Sequence, residues 1–335
     1  MTLHDMAGHL VRQGKGILAA DESNTTCNKR FEALGIPATE EMRRAYREIL
    51  FTTPGIEEFL SGVILYDETI RQSASDGTLF HELLASRGIQ VGIKVDGGLD
   101  DTSFSDGQVT KGLDGLAGRL KEYKSMSAVF TKWRMVTKVT DTPQNSALQA
   151  NVKRMAEYAR VAQAEGFVPI IEPEVLIDGD HTAAQCENAI VETLTLAFDV
   201  IQKTSVDLKG LILKTSMAVS GKKNSARADA QEVAERTMRA LKATVPDSVA
   251  GVVFLSGGQK PEEATANLNE IARLEPRAWP LTFSFSRALQ EPVLALWMGN
   301  DSNRAEAQAA FHKRLSLNIL ADAGGYSKIL EEGAL

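Results

Sequence analysis

Residues 145–174, NSALQANVKRMAEYARVAQAEGFVPIIEPE, hold one complete folding unit. Leu148, Val152, Met155, Ala159 and Ala162 advance by four, three, four and three, which puts them on one face of a helix. Gly166 stands where a C-terminal cap belongs, and the apolar run Val168-Pro169-Ile170-Ile171 follows at once. The pattern predicts a helix over 145–165 and a strand from Val168 that ends in the carboxylates Glu172 and Glu174.

The same unit recurs along the chain. Short apolar runs begin near Ile17, Val63, Val91, Phe130, Val168, Leu211, Val252 and Leu281, spaced 28 to 46 residues apart, room for one strand and one crossover helix. Pro261 opens another helix at a first-turn position, with Ala264, Leu268 and Ile271 on one face and Glu262 and Glu263 near its positive end. Eight strands alternating with helices imply parallel pairing with both sheet faces covered, and the economical closure is an α/β fold, a single (β/α)8 TIM barrel over residues 1–335. An open doubly wound sheet would bring a glycine-rich dinucleotide turn after the first strand. No GxGxxG follows the ILAADES segment at Ile17, and no GxxxxGK[ST] occurs in the chain.

Composition narrows the function. Against 37 Lys+Arg the 335 residues carry 44 Asp+Glu, a formal charge of −7, so neither nucleic acid nor an anionic membrane is the expected partner. The longest apolar run, Val293 to Met298, falls far short of the roughly 20 residues of a membrane span, and His4, Asp5, His9 and Arg12 interrupt the amino terminus before any signal-peptide core forms. Cys27 and Cys186 are far apart, which fits a reducing, cytoplasmic setting. The five histidines show no HxH or HExxH spacing, so no metal is expected.

Nearly every apolar run ends in polar residues that a packed core refuses: Asp21 and Glu22; Asp67 and Glu68; Lys94 and Asp96; Lys132 and Arg134; Glu172 and Glu174; Lys214; Ser256; Ser284 and Arg287. In a barrel these sit at the carboxyl ends of the strands, where barrel enzymes keep their active sites. Glu172 and Glu174, two apart on a strand, point to one side, and their repulsion should raise one pKa into the range of a general acid. Lys214, preceded by three apolar residues, is the best candidate for an iminium-forming amine, with Lys94 and Lys132 as neighbouring cations or phosphate ligands; Lys94 could equally be a structural partner of Asp96. Ser256-Gly257-Gly258 on one strand end and Arg287 on the next suggest a phosphate site. Lys94, Lys132, Arg134, Lys214 and Arg287 together predict a local basic pocket on an acidic protein.

With these residues in view, the chain resembles class I (Schiff-base) fructose-bisphosphate aldolases over nearly its whole length. The carriers are GKGILAADES, GVILYDET, VGIKVD, KGLDGL, Lys132-Trp133-Arg134, VPIIEPEVLIDGDH, LILK, FLSGGQ and TFSFSRALQ, in family order. The resemblance implies a cofactor-free, metal-free lyase of glycolysis and gluconeogenesis that cleaves fructose 1,6-bisphosphate reversibly, commonly as a homotetramer. By position it implies that Lys214 forms the iminium, that Glu172 is acid and base with Glu174 in support, that Asp21 takes the C4 hydroxyl proton and that Lys132 stabilises developing charge beside Arg134 and Lys94. It further implies that Ser256, Gly257 and Arg287 hold the 1-phosphate and that Thr26, Arg30 and Lys94 lie toward the 6-phosphate.

The chain departs from the family pattern at Thr215-Ser216, where relatives usually have Pro-Asn, and at Phe285-Ser286, where they often have Tyr-Gly. Its last segment, Ile329 to Leu335, lacks the final Tyr of many relatives, and Tyr326 matches a position before that tail, which implies that a Tyr-dependent proton exchange is absent or served by another group. Two other readings remain at this point: a transaldolase-type Schiff-base barrel, which has less need of two phosphate sites, and a silent scaffold, which has no physical reason to retain buried Asp21, Lys132, Glu172 and Lys214.

Overall fold

All eight apolar runs form strands, and in the computed structural model they close into one parallel barrel: β1 (Gly16–Ala20), β2 (Leu60–Leu65), β3 (Gln90–Lys94), β4 (Ala128–Thr137), β5 (Val168–Val175), β6 (Ile212–Thr215), β7 (Gly251–Phe254) and β8 (Leu281–Phe285). Neighbours pair in chain order, and β1 closes on β8 with Ile17 opposite Ser284. The structure describes every residue except 102–103, 105–106, 141–145, 275–276 and 334–335. The expected helix start at Asn145 and the terminal Ala334 and Leu335 therefore lie outside the described residues.

Strand alternation divides the core in two. Ile17, Ala19, Ile64, Phe130, Val168, Ile170, Ile212 and Val253 point inward and fill the lower barrel, joined by Ala7, Leu10 and Val11 from the helix Leu3–Leu10 and the residue after it. That helix is held by a capping box, in which Thr2 Oγ1 accepts from the Asp5 amide and Asp5 accepts from the Thr2 amide. The Phe130 ring takes the space that side chains on β3 would fill, since a methyl on Gly92 would fall 2.2 Å from its Cζ. The opposite parity, including Leu18, Leu65, Trp133, Ile171 and Leu213, packs outward against the helices.

The helix of the opening segment runs Ser146–Ala164, with Leu148, Val152, Met155, Ala159 and Ala162 all buried, and Gly166 follows at φ +83°. The helix Pro261–Ala272 begins at the expected proline. Strand starts differ from the sequence reading by up to three residues, most at β2, which begins at Leu60 rather than Val63. There Leu60 pairs with Gly16 and Gly62 with Ile17 of β1, Ser61 is bulged between them, and Ser61 Oγ donates to Leu10 O. A short antiparallel ladder, Leu99–Asp100 against Val109–Thr110, was not expected. It braces β4, because Thr110 Oγ1 donates to the carbonyl of Arg134 at 2.9 Å. Tyr326 is buried, its backbone N–H on Asn269 and its hydroxyl on Glu331, which Arg314 also binds through two hydrogen bonds.

Candidate active site

The inward parity that packs the lower barrel continues upward on the same strands with charged residues. One step above Ala19 comes Asp21, above Phe130 come Lys132 and Arg134, above Ile170 come Glu172 and Glu174, and above Ile212 comes Lys214. The strand β4–β5 pair is the longest in the barrel, from Phe130 opposite Val168 to Thr137 opposite Val175, and so lifts two layers of ionic residues above the apolar filling.

Four of these side chains form one buried cluster. Lys132 Nζ lies 2.7 Å from Asp21 Oδ2 and 3.0 Å from Glu172 Oε2, while Lys214 Nζ lies 3.0 Å from Glu172 Oε1. Asp21, Lys132, Glu172 and Lys214 are each at most 8% exposed, so two cations and two anions neutralise one another out of water. Burial by itself disfavours the Glu172 carboxylate, but Lys132 and then Lys214 and Arg134 outweigh it and bring its pKa down to about 2. Burial likewise opposes the Lys132 charge, and Asp21 and Glu172 reverse that and hold the ammonium above its ordinary value.

The expected rise of a carboxyl pKa by repulsion between Glu172 and Glu174 is therefore not found at Glu172. The two do share a side of β5, but each faces its own cation: Glu174 Oε2 accepts from Arg134 Nε at 2.6 Å. The expected basic pocket needs the same correction. Lys94 is bound to Asp96 Oδ1 at 2.5 Å, the structural pairing that the sequence left open, and Lys132, Arg134 and Lys214 each have a carboxylate. Of the five cations, Arg287 alone has no carboxylate partner among the described residues.

The phosphate candidates divide into two groups. Ser256 is buried at the end of β7, Gly257 and Gly258 follow with left-handed φ of +54° and +87°, and Arg287 opens the helix Arg287–Trp297 after β8. Thr26 and Arg30 lie on the helix Asn24–Glu32 that follows β1. Thr26 is exposed, with its amide on the N-cap Ser23, and Arg30 Nη1 donates to Glu22 Oε1 at 2.5 Å.

Glu22 is the centre of a network that the sequence did not reveal. Its Oε1 also accepts from Ser286 Oγ at 2.7 Å and Gln290 Nε2 at 2.9 Å, and its Oε2 accepts from Arg47 Nη2 at 2.6 Å. Burial would raise the Glu22 pKa, but Arg47 and Arg30 hold it far below the usual carboxylate range. Arg47 sits in the helix Glu40–Thr52, where an arginine among Glu and Arg neighbours reads as solvated; only the position of Glu22 makes it buried. Ser286, one of the departures from the family pattern, thus uses its hydroxyl to tie the start of the helix Arg287–Trp297 to the loop after β1. At the other departure, Ser216 Oγ accepts from the Val175 amide and donates to the Val175 carbonyl, which fixes the chain just after Lys214 against the end of β5.

Tyr66 is a further mouth residue missed in the sequence. It follows β2 in the inward parity of Gly62 and Ile64, and Lys94 Nζ stands 5.9 Å from its ring centre. Parity alone could have found it. Trp133 packs outward on Tyr158 at 5.3 Å, Phe130 is in the lower core, and His181 lies in the loop before the helix Ala183–Ile201, as read from the sequence.

Comparison with known proteins bears on this geometry. A family model described as fructose-bisphosphate aldolase class-I matches residues 2–334. A probable fructose-bisphosphate aldolase class 1 from Xanthomonas campestris pv. campestris is 46% identical over 325 residues, 96% of this chain and 97% of that protein. A fructose-bisphosphate aldolase from Dictyostelium discoideum is 42% identical, over 95% of this chain and 90% of its own. Among solved structures, the fructose-bisphosphate aldolase of Plasmodium falciparum, in a complex with TRAP and a small molecule inhibitor, superposes with a TM-score of 0.94 at 42% identity, covering 97% of this chain and 95% of its own.

Proposed function

The chain belongs to the class I fructose-bisphosphate aldolase family, and from that premise we propose how its barrel mouth performs the reversible cleavage of fructose 1,6-bisphosphate to dihydroxyacetone phosphate and glyceraldehyde 3-phosphate. The observation that carries the assignment of roles is the position of Glu172, 3.0 Å from both Lys132 and Lys214.

Glu172 is held anionic, so it acts first as a base, taking a proton from the Lys214 ammonium. The freed amine attacks the C2 carbonyl of the sugar, and the carbinolamine hydroxyl then leaves as water with the proton returned by Glu172. Asp21 accepts the C4 hydroxyl proton as the C3–C4 bond breaks, and the bonding electrons pass to the iminium nitrogen to give an enamine. Lys132, between Asp21 and Glu172, balances the charge that moves between them. Glu174 holds Arg134 at the rim. Ser256, Gly257 and Arg287 take the 1-phosphate, and Thr26, Arg30 and Lys94 the 6-phosphate; Arg30 and Lys94 reach it by sharing or leaving Glu22 and Asp96.

Residues 1–335 form one catalytic domain in this reading. The substrate is a sugar bisphosphate, and no helix among the described residues is long and apolar enough to cross a membrane. A cytoplasmic location and a homotetramer accord with the family, and light scattering of the purified protein tests the assembly.

Borohydride reduction in the presence of dihydroxyacetone phosphate and EDTA, followed by peptide mass spectrometry, tests the chemistry. A single adduct on Lys214 and full activity with chelator are expected. An adduct on another lysine, or activity lost to the chelator, overturns the assignment.

A further inference from the structure

The loop that follows β6 carries a cation that the site as described does not use. Lys222 is anchored through its backbone to the loop after β5: its amide donates to Ile177 O at 2.9 Å, flanked by Gly221 N on His181 O and Lys223 N on Gly179 O, both 2.8 Å. Its side chain crosses in the other direction, to the loop after β7. A methyl placed on Gly258 would lie 3.2 Å from Lys222 Nζ and 3.1 Å from Arg287 Nη2, so the two cations are at most 6.3 Å apart across that glycine. Because residue 258 is a glycine with φ +87°, nothing stands between its backbone and the pair.

Two like charges held this close repel unless an anion lies between them. Elsewhere in the mouth, Lys94, Lys132, Arg134 and Lys214 each have a carboxylate within 3.0 Å. Here, among the described residues, Arg287 has none, and the one carboxylate paired with Lys222, Asp178 Oδ1, is 3.6 Å away on a side chain 72% exposed. A dianion bound to both cations and to the Gly257-Gly258 backbone relieves the repulsion and completes what no side chain supplies.

We infer that Lys222 is a further phosphate-binding residue, which exchanges Asp178 for the 1-phosphate of the substrate and of dihydroxyacetone phosphate. The inference rests on the placement of the 1-phosphate at Ser256, Gly257 and Arg287.

The test is the concentration of dihydroxyacetone phosphate, a ligand with a single phosphate, that half-saturates borohydride trapping. It is measured in wild type, K222M, K222R, K223M and R287M at low and high salt, with thermal melting as a control for folding. K222M raises the half-saturating concentration about 5- to 20-fold, flattens its salt dependence and leaves the maximal adduct yield unchanged. K222R recovers most of the affinity, and K223M behaves as wild type. If K222M binds as wild type while R287M is weakened, the inference about Lys222 is wrong and the 1-phosphate site stands. If neither variant is weakened, the 1-phosphate placement itself falls.

Discussion

The lower and upper halves of the barrel interior lie on the same strands, two residues apart, and are built on opposite principles. Below, Phe130, Ile170 and Ile212 fill space with no polar atom to satisfy, and the helix Leu3–Leu10 closes the floor with Ala7 and Leu10. Above, Lys132, Glu172 and Lys214 occupy the next inward positions and are stable only as a set, because each charge is neutralised by a neighbour from another strand. The floor tolerates substitution in proportion to lost volume; the mouth fails when a single partner is removed. Rigidity of the floor holds the mouth charges in register, and the mouth's ionic pairing costs stability that the floor offsets.

The two halves should differ most in their response at Lys214. A K214M variant loses the amine proposed as the iminium nucleophile, and cleavage should fall by about 10³-fold or more. Without Lys214, Asp21 and Glu172 must share Lys132, so melting should fall as well; activity per folded molecule near wild type would remove Lys214 from the chemistry. On the floor, Phe130 is fully buried, and F130A should destabilise the fold by about 3–5 kcal/mol while activity per folded molecule survives, as denaturant unfolding and active-site titration would show. Equal loss of specific activity would mean that the two halves are not separable.

A carboxylate outside the mouth sharpens the rule that buried charges need partners. Asp322, at the end of the helix Arg304–Asp322, is 3% exposed and accepts from the Gly14 amide at 3.3 Å, while its Oδ1 accepts no hydrogen bond among the described residues. Burial pushes its pKa up to about 6 from the ordinary aspartate value of 3.8. A raised carboxyl pKa means that the folded chain holds its proton more tightly than the unfolded one. Stability from this group is therefore full below about pH 4, declines as pH rises toward 6, and is lost above it. The shift corresponds to about 3 kcal/mol. D322N should flatten the stability profile between pH 4 and 7 and be the more stable protein at pH 7.5; a wild-type slope in D322N would place the titration elsewhere. Glu172 has the opposite sign, because its pKa is lowered, and its contribution is lost as pH falls from about 4.5 toward 2. The smallest expected effect is at Ser216, where S216A removes one buried donor and acceptor on Val175 and should cost about 1 kcal/mol in thermal melting.

Much of this was legible in residue order. The spacing of apolar runs predicts eight strands, and the polar residues at their ends predict where the mouth lies, because strand alternation is a local rule that needs no knowledge of neighbours. Parity would also have placed Tyr66 inward had it been followed past Leu65. Other features had no local signal. Arg47 looks like a surface arginine until Glu22 is set beside it, and Lys222 looks like a solvated loop lysine until its side chain is found across Gly258 from Arg287. The ladder at Leu99–Asp100 and Val109–Thr110 is two residues on each side, too short for any periodicity to register.

The barrel, the side of each strand that faces inward and the residue types gathered at the mouth can all be read from residue order, since all three follow from local pattern. Which carboxylate meets which cation cannot be read that way and is set by the folded barrel. Pairing across strands depends on barrel closure and register, and it converts an expected basic pocket into a nearly neutral cluster with a lowered Glu172. Charge energies depend on distance and burial, which residues far apart in the chain acquire only when the barrel closes.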